Sequence, residues 1–415
     1  MTAADSPPPR IFALDLVRGI AVMGILAMNI VAFAMPFQAY MNPIAYGMES
    51  AADYWSWVVN FIFVDGKMRG LFSFLFGAST LIVIERARAA GLSEASVHFR
   101  RTAWLLVFGL LHFYLIWFGD ILAAYALTGM ILFAFRNLGV RALVVWGVAL
   151  IVVQLLLMVG MSMSFMVMAN MATQPGADPE MVRQWQELEQ QFGIPTGGTL
   201  AEKMSMFGGP WTGQVENRLI AHGSDPFVNL LMFGWETLGY MLFGMAALKS
   251  GLLRAEWSAG RYRTLALVGF AITIPAYGLL AWALTRDGFT TPMVLGVAMA
   301  ATTPIRPLMV VAYAALIMLI ARHHNVLTES IAAAGRAAFT NYLGTSIAMT
   351  TLFYGFGFGL YGTMSRIELW LVVIAAWAVM LLWSKPWLSR FRYGPLEWLW
   401  RSLARWRFEP LRRMA

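Results

Sequence analysis

The chain has 415 residues, of which 59% are hydrophobic and only 13% charged, with a mean hydropathy of +0.64. A soluble domain carries about 25% charged residues, so the composition points to a membrane protein, and the length fits one helical bundle better than several soluble domains. The net charge of +8 does not signal nucleic acid, because Lys and Arg cluster between apolar runs, where topology and anionic lipid account for them. The lack of cysteine excludes disulfides, thiolate metal sites and a cysteine nucleophile.

The opening MTAADSPPP is too polar for a secretory signal and has no cleavage pattern beside an apolar core, so residues 1–11 read as a cytoplasmic tail and the first span as retained. Apolar runs follow near residues 12–35, 69–84, 102–119, 121–135, 142–168, 226–248, 264–285, 303–321, 331–355 and 367–384. Most meet or approach the ~20 residues that a spanning helix needs, which predicts an all-α polytopic fold of about ten spans in one bundle. Two shorter runs, 53–64 and 291–302, fit re-entrant or interfacial helices. The organisation expected is a transmembrane half at 12–168, a loop at 169–225, a second half at 226–384 and an amphipathic tail at 385–415.

Arg86, Arg88, Arg100, Arg101, Arg136, Arg141, Lys249, Arg254, Arg261, Arg263, Arg322 and the tail from Lys385 fall on the same side as Arg10 if the count holds. The positive-inside rule makes that side, and both termini, cytoplasmic. The stretch 169–225 is then external, with one helix expected at 179–191, where acidic residues open DPEMVRQWQELEQ. It reads equally as a lid over an outward-facing site or as a spacer. No convincing internal repeat relates the halves, although many secondary transporters have one.

Ionisable side chains inside the apolar runs mark the candidate site, since burying a charge in a bilayer costs at least ~2.5–3.5 kcal/mol. In RIFALDLVRGIAVMGILAMNI, Asp15 and Arg18 are one turn apart, and Asn29 lies on the Arg18 face about 16 Å further along. The pair either anchors the helix or offers Arg18 to an anionic ligand. His112 is the only histidine in a strongly apolar span, and Asp120 follows at its outer end. On a regular helix these two would stand ~12 Å and ~80° apart, too far to hydrogen-bond, though both could flank one cavity. His112 either serves as a general base or is satisfied by a neighbouring helix. Tyr125 is a weaker candidate beyond it.

In FVDGKMRGLFSFLFGAS, Lys67 and Arg69 sit on the predicted outer side against the positive-inside trend, where they either bind an anion or snorkel beside Asp65. Glu236 needs a proton or a partner, with Arg336 and Arg306 both eligible, and Asn341–Tyr342 adds polar groups to a later span. The loop residues His98, His222, His323 and His324 have no metal-ligand spacing. No phosphate loop, dinucleotide fingerprint, serine elbow or HExxH occurs. The Trp- and Arg-rich tail is expected in the cytoplasmic interface, its arginines on lipid headgroups first and on a cytoplasmic ligand second.

The blocks RIFALDLVRGIAVMGILAMNI, GKMRGLFSFLFGAS, GLLHFYLIWFGDILAAYALTG, GRAAFTNYLGTSIAMTTLFYGFGFGLYG and GPLEWLWRSL occur in order along nearly the whole chain. They resemble the bacterial YeiB family, whose C-terminal part is called domain of unknown function 418. That family is similar to the transmembrane acyltransferases, a group including heparan-alpha-glucosaminide N-acetyltransferase and the O-acetyltransferases of bacterial surface glycans. Leu14, Asp15, Arg18 and Gly19 match the group's Leu-Asp-x-x-Arg-Gly block. The resemblance implies a bacterial inner-membrane location, acyl-CoA as cytoplasmic donor and a membrane-embedded histidine. Arg18 would then receive the donor nucleotide and Asn29 would lie along the acyl path. The lysosomal relatives carry their histidine after the first span, where PFQAYMNPIAYGMESAADYW has none, so the role passes to His112.

The favoured expectation is an acyltransferase moving an acyl group, acetyl first, to a hydroxyl or amine of a small-molecule or glycan acceptor outside the cytoplasm. His112 and Asp120 would be catalytic. Asp15, Arg18, Asn29, Lys67, Arg69, Tyr125, Glu236 and Asn341 would contact donor or acceptor, with no metal and no nucleic acid. The bilayer is the expected partner, and a homodimer stays open. The alternative is a proton-coupled transporter or flippase of a small polar or lipid-linked substrate.

Overall fold

The computed structural model describes residues 11–195 and 198–413; Arg10 and the rest of the N-terminal tail up to it lie outside these residues. From the N-terminus come α1 (Phe12–Ala34), the short α2 (Phe37–Met41), α3 (Ala51–Phe63) and α4 (Lys67–Ala89). Next, α5 (Glu94–Leu111) runs into a wide turn at His112–Ile116, followed by α6 (Leu122–Leu132) and α7 (Val140–Ala172). The connecting stretch holds α8 (Pro179–Phe192), α9 (Thr199–Gly208) and α10 (Trp211–Ile220). The second half contains α11 (Asp225–Lys249), α12 (Ala259–Asp287), α13 (Thr291–Leu295), α14 (Arg306–Ile320), α15 (Val326–Arg336), α16 (Ala338–Phe353) and α17 (Arg366–Arg390). The last helix is α18 (Pro395–Arg405).

Among the described residues, six stretches are long and apolar enough to cross a membrane: Phe12–Ala34, Ala51–Ala89, Val140–Ala172, Asp225–Lys249, Ala259–Asp287 and Arg366–Arg390. A seventh is added if Thr291–Ala301 and Arg306–Ile320, bent by 55°, form one broken span. The protein is therefore an all-α, multi-pass membrane protein. Leu122–Phe135 is a shorter apolar helix. The run near 331–355 is divided at Ala337, whose backbone leaves the helical region between α15 and α16.

Apolar surface is distributed as a bilayer requires. Val145 and Leu156 on α7, Leu267 and Leu279 on α12, and Leu371 and Leu382 on α17 are all exposed, and lipid is the solvent that tolerates such faces. By contrast, α1 is buried along most of its length, and its Leu16, Val17 and Ala21 sit in the largest core cluster.

Glycines set two close crossings. A Cβ on Gly77 would lie 1.9 Å from the Met241 carbonyl oxygen, and one on Gly244 would lie 1.7 Å from that of Phe74, so α4 and α11 meet backbone to backbone. The same holds for α1 and α15, where a Cβ on Gly19 would meet the Ile331 oxygen at 2.0 Å and one on Gly335 the Asp15 oxygen at 1.9 Å. Small residues at crossings are how membrane helices maximise packing where lipid gives no hydrophobic drive.

One end of the bundle gathers the basic residues. Arg88 and Arg136 pair with Glu94 at 2.5 and 3.2 Å, Arg254 with Glu85 at 3.3 Å, and the Lys249 ammonium donates to the carbonyls of Arg136 and Leu138. At this end α18, expected at the lipid interface, also packs on protein. The Trp400 indole donates to the Arg101 carbonyl at 2.9 Å, and Glu397 accepts from the Phe339 and Thr340 N–H groups at the start of α16.

Candidate functional site

His112 and Asp120 are joined directly, with Nδ1 and Oδ1 2.8 Å apart and both side chains buried. Regular helix geometry does not allow this bond; the chain makes it by leaving that geometry. In the wide turn the Trp117 N–H reaches back five residues to the His112 carbonyl at 2.9 Å, and the helix stops there. The chain then reverses through Phe118 and Gly119. Asp120 is held at the head of α6 because its Oδ2 accepts the Ala123 N–H at 2.8 Å. Gly109 allows the approach, since a Cβ there would lie 2.3 Å from the Ala123 nitrogen.

A carboxylate only accepts, so Nδ1 carries the proton toward an ionised Asp120, and in the neutral imidazole Nε2 holds the lone pair. Nε2 is buried and has no hydrogen-bond partner among the described residues. The Tyr342 ring lies 5.3 Å from the imidazole and the Trp117 ring 6.4 Å. Both aromatics line a narrow crevice that also includes Val22, Ile25, Asn29 and Ser346. Asn29 thus lines a crevice two of whose aromatic walls also contact the imidazole.

The stretch between the halves is tied onto this turn. Trp211 and Arg218, both on α10, donate to the Leu115 and Tyr114 carbonyls at 2.7 and 2.9 Å, and the Tyr114 hydroxyl donates to the Gly223 carbonyl at 2.7 Å. These bonds pack 169–225 against the turn that begins at His112. Sequence flagged α8 but not α9 or α10.

Arg18 lies at the other end of α1. It donates to Asp15 at 3.2 Å and to the Ser79 hydroxyl at 2.9 Å, and its side chain is 27% exposed.

A second charged cluster joins α4, α11 and α14. Glu236 accepts from Arg69 at 2.8 Å, from Arg306 at 2.5 Å and from the Tyr240 hydroxyl at 3.0 Å. Arg306, one of the two eligible partners, is thus taken together with Arg69; Arg336 is not. Arg306 also donates to Thr302 at 2.6 Å in the break before α14. Gly66 is required beside it, because its φ is +69° and a Cβ would fall 2.6 Å from Arg306 Nε. Lys67 neither snorkels nor pairs with a carboxylate. It is 1% exposed, donates to the Phe61 carbonyl and stands 3.4 Å from the centre of the Tyr277 ring, a cation–π contact in a desolvated setting.

Tyr125 braces this cluster from behind, donating to the Arg69 carbonyl at 3.1 Å and accepting from Ser73 at 2.8 Å. Asn341 belongs to neither site. Its amide donates to the Ala334 carbonyl and accepts from Trp383, tying α15, α16 and α17. Sequence reasoning did not single out Trp117, Tyr240 or Arg218, whose roles depend on partners distant in the chain.

A family model described as a protein of unknown function (DUF418) matches residues 247–407. Over 407 residues, 95% of this chain and 96% of the relative, the sequence is 34% identical to the uncharacterized protein YeiB of Escherichia coli (strain K12). This chain belongs to the YeiB family. It is also 31% identical over 419 residues to the uncharacterized protein YxaH of Bacillus subtilis (strain 168), covering 97% of this chain and 96% of that one. No solved structure matches. The YeiB family is thus a membrane-protein family of unknown function, and its members are similar over both halves and the stretch between them.

Proposed function

We propose that the protein is an inner-membrane acyltransferase, with acyl-CoA as cytoplasmic donor and a hydroxyl or amine of an extracytoplasmic molecule as acceptor. The observation that carries this reading is the buried His112–Asp120 dyad with Nε2 unpartnered. Asp120 fixes the tautomer and stabilises the imidazolium that forms when Nε2 takes a proton. The acceptor oxygen or nitrogen attacks the thioester carbonyl as its proton passes to Nε2; the C–S bond then breaks and the CoA thiolate leaves, to be protonated by the imidazolium. Asn29, which lines the adjoining crevice, would donate to the carbonyl oxygen as it gains charge. The similarity of the Leu14–Gly19 block to transmembrane acyltransferases supports the donor class. A pantetheine arm in this crevice requires the apolar side chains lining it to move apart.

The test is acetyl-CoA turnover by detergent-purified protein. We expect slow hydrolysis that is lost in His112→Ala; equal turnover in that variant would overturn the assignment.

One observation favours a second reading, a proton-coupled transporter or flippase. Thr291–Ala301 and Arg306–Ile320 form a helix broken by 55° beside the Glu236 cluster, and transporters bind substrates at such breaks. Gradient-dependent uptake into proteoliposomes without acyl-CoA would select it.

A further inference from the structure

Arg218 is 4% exposed and carries a charge with no counter-charge beside it. Its Nε donates to the Tyr114 carbonyl at 2.9 Å, its Nη2 is buried without a partner, and it forms no ion pair among the described residues. A buried charge left in this condition is strongly unfavourable. Three more buried side chains share the deficit. Trp117 Nε1 and the hydroxyls of Tyr354 and Tyr361 have no hydrogen-bond partner among the described residues, although buried tryptophan and tyrosine usually find one.

The fold holds these four together. Tyr361 stacks on Phe207 with ring centres 4.7 Å apart, and Tyr354 stands 5.0 Å from the same ring and 5.9 Å from Tyr361. Trp117 belongs to the same buried cluster, and its indole lies beside the Tyr354 hydroxyl outside hydrogen-bond geometry. Helix α10 joins the group through the Gln214 amide, which donates to the Phe207 carbonyl at 3.2 Å; that carbonyl also accepts the Gly355 N–H at 2.9 Å. Arg218 follows Gln214 by one turn on the same face of α10. The Trp117 ring is 6.4 Å from that of His112, so the group adjoins the dyad.

Indole and guanidinium N–H groups only donate, and both hydroxyls can donate. Donors gathered around one uncompensated positive charge suit an oxyanion, a carboxylate or a phosphate. Gln214 Oε1, an acceptor without a partner, suits a hydroxyl or amine on the same molecule.

We propose that Arg218, Trp117, Tyr354 and Tyr361 bind an anionic group of the acceptor, which is therefore a hydroxy or amino compound carrying a carboxylate or phosphate. The proposal rests on the acyl-transfer reading and names the acceptor class for it. A soluble molecule and a lipid headgroup offer the same anionic chemistry, so the experiment separates the two sources.

The full-length protein is placed in nanodiscs of phosphatidylcholine, with and without phosphatidylglycerol. Calorimetry measures binding of two matched pairs, glucuronate against glucose and glycerol 3-phosphate against glycerol, and CoA release from acetyl-CoA is followed with each compound. The variants are Arg218→Gln, Arg218→Lys, Tyr354→Phe and Tyr361→Phe. The tyrosine variants keep the test open if Arg218→Gln fails to fold. They delete hydroxyls that bond to nothing, so the ligand-free protein should unfold at the same temperature or higher, where loss of a structural hydrogen bond would lower it. We expect an anionic member to bind at least about tenfold tighter than its neutral partner. That preference should vanish in Arg218→Gln, fall less in Arg218→Lys, and weaken in both tyrosine variants. Phosphatidylglycerol that competes with the anions in wild type but not in Arg218→Gln makes a headgroup the source and upholds the proposal. If wild type turns over acetyl-CoA while neither anion nor phosphatidylglycerol binds, or while anionic and neutral members bind alike, the proposal is overturned and acyl transfer stands. Tyrosine variants that lose thermal stability with unchanged anion affinity also overturn it. If anions bind through Arg218 but no compound or lipid promotes CoA release, the anion site stands and acyl transfer falls.

Discussion

The two charged assemblies in the bundle differ in how fully they are satisfied. Glu236 has both carboxylate oxygens occupied, by Arg69 on one side and by Arg306 and Tyr240 on the other. His112 has one nitrogen bonded to Asp120 and the other buried without a partner. The Glu236 cluster leaves Arg306 Nε buried without a partner, but its carboxylate is fully paired, and removing that carboxylate strands both guanidinium groups. A half-satisfied group in a crevice holds back bonding capacity for something that arrives. On the proposed reading, the Glu236 cluster would hold helices together and the dyad would do the chemistry.

That division can be broken by experiment. His112→Ala carries the largest expected effect, a loss of about 10²–10⁴ in acetyl-CoA turnover, with a smaller loss of stability because Asp120 keeps the Ala123 N–H. Glu236→Ala should do the reverse, lowering stability by about 3–5 kcal/mol as two buried arginines lose their partner; thermal unfolding in detergent measures it. If Glu236→Ala instead folds normally and loses all activity, the assignment of the two regions is wrong. Gly244→Val drives a side chain into the Phe74 backbone; it should destabilise the α4–α11 crossing by about 1–3 kcal/mol and lower the yield of folded protein. Arg218→Ala should reduce turnover about tenfold through one charge-assisted hydrogen bond between α10 and the turn. An unchanged rate would make α10 a bystander.

Legibility in the sequence followed the range of the interaction. Asp15 and Arg18 are one helical turn apart, and their pairing could be read from spacing. The α8 helix was readable because Asp178 caps it, Pro179 opens it and Glu180 lies in its first turn. Arg69 and Glu236 are 167 positions apart, and what joins them is a backbone crossing at Gly77 and Gly244 that no local pattern records. Short α9 and α10 are hidden by the glycines and proline at Gly208, Gly209 and Pro210 that separate them. For His112 and Asp120 the residues were legible and the bond was not, since regular helix geometry places them apart and the departure from it depends on contacts with α6 and α10. The division at Ala337 escaped notice because hydropathy continues unbroken through a backbone change.

The hold of α10 on the His112 turn has a consequence for how the protein is made. His112 and Asp120 are in place once the first third of the chain has been synthesised, but Trp211 and Arg218 emerge only after α7 has been threaded through the bilayer. Until that segment reaches the turn, the Leu115 and Tyr114 carbonyls lack the donors that α10 brings. The turn's hydrogen bonds are therefore completed late, and a chain whose middle segment fails to reach the turn carries His112 and Asp120 without them.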